Sequence, residues 1–171
     1  MKFTPAQVAK TWNRVMQSSP KEWAKLEARC GPFQDELTGF VLGFTHHLSE
    51  DAQEIARDCM VACYELYREH IAAVRAATED QITAQFERSE RRIADAAALV
   101  DAGYPAEQMF NGSPQPYLMA AVFEAVIGRD AEDPEEDDDP TLDDDELWDV
   151  VAVLDTVIAV LDECAQTAPA P

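Results

Sequence analysis

Apolar positions along this chain recur at steps of three and four, and the polar residues that interrupt them fall where helix caps belong. Thr4 with Gln7, Ser19 with Glu22 and Thr78 with Gln81 each set a capping hydroxyl three residues ahead of a Glu or Gln, the spacing of a capping box. Pro5 and Pro20 follow the first two caps, where a missing N–H does no harm. The second helix is expected to stop at Gly31-Pro32. Leu37, Phe40, Val41 and Phe44 mark a third, ending near His47, and Ser49 is the next N-cap. Ile55, Cys59, Ala62, Cys63, Leu66, His70 and Val74 form the stripe of a long fourth helix.

Ile82, Phe86, Ile93, Ala97 and Val100 define a fifth helix that stops at Gly103. An irregular stretch from Tyr104 to Pro116 leads to a sixth, carrying Leu118, Val122, Ala125 and Val126. The last, capped by Thr141, turns Leu147, Val150, Val151, Leu154, Val157, Ile158 and Leu161 inward. Asp143, Asp144 and Asp145 fill its first turn, where the helix dipole favours negative charge. No segment alternates with a period of two. The predicted fold is all-α, a compact multi-helix bundle of about seven helices in one domain over residues 1–171, with residues 166–171 as a disordered tail.

Two helical hairpins in this pattern resemble each other. Gln34, Leu37, Val41 and Phe44 match Gln115, Leu118, Val122 and Ala125, and Ser49, Ile55, Cys59, Ala62 and Leu66 match Thr141, Leu147, Val151, Leu154 and Ile158. Either the hairpin is duplicated, with extra acidic residues in the second copy's loop, or two amphipathic helices simply share a period.

Charge changes the picture. The formal net charge is −21, and thirteen of the twenty residues from Asp130 to Asp149 are carboxylates, with no Lys or Arg among them. Burying unpaired carboxylates is prohibitive, so residues 129–141 are expected to form a mobile, solvated acidic loop. Residues 1–92 hold 12 basic and 14 acidic residues, whereas residues 93–171 hold one basic residue, Arg129, and 20 acidic ones. That asymmetry points away from nucleic acid and anionic membranes. The opening MKFTPAQVAK lacks the apolar core of a signal peptide, and Val150–Leu161 is too short to span a bilayer. The expected location is the cytoplasm, where Cys30, Cys59, Cys63 and Cys164 stay thiols.

Candidate chemistry is sparse. The acidic run has no Gly and contains Pro134 and Pro140, which excludes an EF-hand loop. Cys59, Cys63 and His70 share one helix face, with His46 and His47 just ahead of that helix, and are the candidate metal ligands; the plainer reading is packed core. Cys30 is placed at a helix end, where the dipole opposes a thiolate, and each serine is read as a cap or an exposed residue. Arg88, Arg91 and Arg92 alternate with Glu87 and Glu90 as a solvated helix face. No catalytic motif and no cofactor are implied.

The expected function is therefore non-enzymatic: binding of a basic protein partner, as inhibitor, immunity-type protein or adaptor. The partner-binding candidates are Asp133, Glu135, Glu136, Asp137, Asp138, Asp139, Asp143, Asp144, Asp145 and Glu146. Two alternatives stand beside it. One is a metal-binding bundle built on Cys59, Cys63 and His70. The other is a small-molecule sensor with a pocket lined by Phe40, Phe44, Tyr64 and Tyr67. A homodimer sealed by the apolar last helix is also open.

Overall fold

Capping chemistry decides where the helices begin. In the computed structural model, which describes residues 2–71, 73–128 and 142–166, the side chains of Thr4, Ser19 and Thr78 each accept from the backbone N–H three residues on. The Gln7, Glu22 and Gln81 side chains accept in return from the cap backbone. These boxes open α1 (Pro5–Met16), α2 (Pro20–Phe33) and α5 (Glu79–Asp101). The others are α3 (Asp35–Thr45), α4 (Glu50–His70), the one-turn α6 (Ala106–Met109), α7 (Pro116–Gly128) and α8 (Asp144–Gln166). All regular structure among the described residues is helical, and the architecture is an all-α multi-helix bundle.

At the centre runs α8. Every residue from Val150 to Leu161 is buried, because α3, α4, α5 and α7 all pack around it. A helix apolar on every side needs such a jacket. The apolar surface of α8 from Val150 to Leu161 is therefore spent within the chain. Around α4 the expected single stripe is also too narrow. Residues Cys59 to Tyr67 are buried without a break, since α1, α2, α3 and α8 cover different sides of that helix. Val74 lies beyond α4, in the connection to α5.

Two buried carboxylates in the core meet guanidiniums, and a third, Asp162, accepts from Tyr67 at 3.3 Å and Gln115 at 2.7 Å. Glu65, fully buried on α4, lies 3.6 Å from the Arg14 guanidinium of α1, 3.1 Å from that of Arg29 on α2 and 2.9 Å from that of Arg68. Asp155 on α8 takes Arg92 of α5 at 2.7 Å, and Arg92 also donates to the buried Ser89 at 2.8 Å. This corrects the solvated face expected for Arg92 and the exposed position expected for every uncapping serine. A carboxylate at the centre of an apolar helix draws the nearest guanidinium inward.

Two helix boundaries also differ from expectation. Gly31-Pro32 does not stop α2, because the Gln34 N–H closes the last turn onto the Cys30 carbonyl at 2.9 Å. Cys30 is thus not the helix end. The cap of α8 is Asp143, whose Oδ1 accepts from Glu146 N at 2.8 Å; Thr141 lies outside the described residues. Gly103, at φ 76°, does end the α5 segment as expected, with its N–H on Val100 O at 2.8 Å.

The matched glutamines share a job. Gln34 precedes α3 and Gln115 precedes α7, and each carbonyl accepts that helix's first backbone bond. Gln34 Oε1 accepts from Ala77 N at 3.1 Å, just ahead of the Thr78 box, while Gln115 Oε1 accepts from Phe3 N at 2.9 Å, just ahead of the Thr4 box. Gln34 thereby holds the lead-in to α5, and Gln115 the lead-in to α1.

Candidate functional site

The polar pattern brings two helix N-termini together at one end of the bundle. Ser49 caps α4 by accepting from Ala52 N at 3.3 Å. Its own N–H donates to Glu146 Oε1 at 2.6 Å, and its hydroxyl donates to Glu146 Oε2 at 3.2 Å. Glu146 belongs to the first turn of α8, so one carboxylate locks the start of α8 against the start of α4. Glu50 and Asp51 in the first turn of α4 therefore share a pole with Asp143, Asp144 and Asp145.

All five of those carboxylates are exposed. Among the described residues, no Lys or Arg forms an ion pair with any of them. Each helix end contributes roughly half an elementary positive charge. Two such ends fall well short of neutralising the pole, so its field remains negative. Of the sequence-derived partner-binding residues, Asp143, Asp144 and Asp145 are thus exposed and uncompensated by cations. Glu146 is instead half-buried and engaged by Ser49. Asp133, Glu135, Glu136, Asp137, Asp138 and Asp139 lie outside the described residues, as does the acidic loop expected over residues 129–141.

Near this pole, a surface groove of about 820 Å³ is lined by Met16, Trp23, Glu54, Glu124 and Gly128 among others. Arg57, also on its wall, is already held by Glu27 at 3.4 Å.

The candidate metal ligands do not converge. Cys59 and Cys63 are buried in the core, whereas His70 lies two turns further along α4, roughly 10 Å from Cys63 along the axis. Its Nδ1 sits 3.4 Å from Gln7 Nε2, and its ring lies 5.9 Å from that of Phe3. His46 and His47 precede the opposite end of α4 and are exposed. Among the described residues, no three His, Cys, Asp or Glu side chains are arranged to hold a metal ion. Burial pushes the Cys63 thiol well up, with Cys59 and Cys30 as lesser causes. Cys30 is pushed up to about 12 by burial first, then by Glu65 and Glu27.

The expected aromatic pocket is divided between two places. Phe40 and Phe44 pack on Phe86, at 5.6 and 4.7 Å between ring centroids. Tyr67 instead packs edge-on to Phe3 at 4.9 Å and donates to Ile158 O and Asp162 Oδ1. Sequence reasoning missed that Trp148 joins the first group, because the rings come from three separate helices. The available signal was a Trp beside Asp149 at the edge of an apolar run. Among the described residues, no helix is long and apolar enough to cross a membrane. Comparison with protein-family models, with curated proteins and with solved structures finds no match for this chain.

Proposed function

We propose that this protein binds a basic protein partner at the pole where α4 and α8 begin. The observation that carries this reading is the Ser49–Glu146 lock, which gathers Glu50, Asp51, Asp143, Asp144 and Asp145 on one surface without a compensating cation among the described residues. Such a surface attracts a cationic partner over a Debye length of about 8–10 Å, speeding encounter and making it sensitive to salt. Inhibition of a basic enzyme or toxin and an adaptor role both fit this mode of binding.

The test compares the tagged protein with its Asp143→Asn, Asp144→Asn, Asp145→Asn triple variant in capture from lysate at 50 and 500 mM NaCl. A basic protein retained at low salt, released at high salt and depleted with the variant is the expected result. Capture indifferent to both salt and the variant overturns the reading.

A further inference from the structure

Between α3, α5 and α8 lies a pocket of about 240 Å³ whose walls include Phe44, Phe86, Trp148 and Ala94, together with the carboxylates of Glu90 and Asp149. The aromatic walls are braced, with Phe44 and Phe86 packed at 4.7 Å and Trp148 stacked on Phe123 at 5.7 Å. No Lys or Arg lines the pocket, and among the described residues none forms an ion pair with Glu90 or Asp149. We infer that this pocket receives an arginine side chain of the partner and anchors it.

The chemistry selects that ligand. Aromatic faces present negative charge to a cation, and the two carboxylates add to it. The volume is below the roughly 300–1,000 Å³ of small-molecule sites, and suits one long side chain. A planar, weakly hydrated guanidinium stacks on Trp and Phe and can still reach a carboxylate with its N–H groups; an ammonium does this less well. Arginines seated in such pockets are recurrent anchors of protein interfaces. Location agrees as well. Trp148 and Asp149 follow Asp145 by three and four residues on α8, so the pocket shares a helix face with the acidic pole. The inference rests on the proposed function and adds a point of specificity to it.

The test uses two twelve-residue probe peptides, one alternating Arg and Ser and the other Lys and Ser, with arginine methyl ester as the free cation. Binding is followed through the indole N–H resonances of Trp12, Trp23 and Trp148, assigned with Trp148→Phe. The arginine peptide is expected to shift Trp148 while leaving Trp12 in place, and to bind about three- to tenfold tighter than the lysine peptide. Ala94→Arg places the protein's own guanidinium in the pocket from an exposed helical position. It should erase that preference with an unchanged melting temperature.

Equal affinity for the two peptides overturns the inference. So does a preference that survives Ala94→Arg; if the Asp143, Asp144 and Asp145 triple variant still weakens both peptides, the acidic-pole reading stands alone. Arginine methyl ester binding as tightly as the peptide would make this a small-molecule site and overturn the anchor. Failure of both peptides to bind at 20 mM salt removes both the inference and the reading beneath it.

Discussion

Two buried carboxylates in this core differ in what their removal would leave behind. The guanidiniums around Glu65 are 42–46% exposed, so they can return to water when the acid is gone. Asp155 has a side chain 1% exposed, and among the described residues its Oδ1 has no hydrogen-bond partner. Removing Arg92 would strand that charge in the core. Arg92→Ala should therefore cost about 3–5 kcal/mol and Glu65→Gln only about 1–3 kcal/mol in urea unfolding; the reverse order would refute this account of the two pairs. The thiols give a second prediction. All four are buried, so none should react with a disulfide reagent at pH 8 until the chain unfolds. A thiol whose folded value is raised contributes stability in full below its ordinary value near 9.0, and loses it as pH climbs toward about 12 for Cys30. Stability measured by urea should thus decline from about pH 9 upward.

Helix starts were legible in the sequence because a capping box is closed within four residues. Thr4–Gln7, Ser19–Glu22 and Thr78–Gln81 need no knowledge of the fold. What joins helices was not legible. The Ser49–Glu146 lock spans 97 residues and the Phe3–Gln115 bond 112, and neither partner carries a local signal of the other. Arg92 illustrates the same limit: Glu90 and Arg91 just before it are charged and exposed, yet it faces an acid 63 positions away. The glutamine clamps yield the prediction for these connections. Gln34→Ala leaves the Ala77 N–H and the Arg75 carbonyl without that side chain, and Gln115→Ala leaves the Phe3 N–H and Asp162 Oδ1 without theirs. Each should cost about 2–4 kcal/mol, as buried polar groups lose partners. Faster amide exchange at Ala77 in the first variant and at Phe3 in the second would locate the loss; exchange unchanged at both would reject the clamp.

With a formal charge of −21, the folded chain stores considerable self-repulsion. Its ion pairs are partly buried and screened less than the exposed acids. Raising NaCl from 20 to 500 mM should therefore stabilise it, lifting the melting temperature by roughly 3–6 °C, as followed by circular dichroism. A fall on adding salt would mean that the internal pairs outweigh the repulsion. The all-α architecture was readable from periodicity alone, but which helix occupies the middle was not, since α4 and α8 both carry long apolar runs.

That α8 is the pillar has a consequence for biosynthesis. Among the eight helices of the described residues it leaves the ribosome after the other seven, which until then have no scaffold on which to assemble. Until it emerges, their oily sides wait uncovered, which is the interval when a nascent chain is most exposed to clumping and most dependent on chaperones. A message truncated before Val150 would yield a polypeptide unable to close, and cellular quality control would meet it as waste.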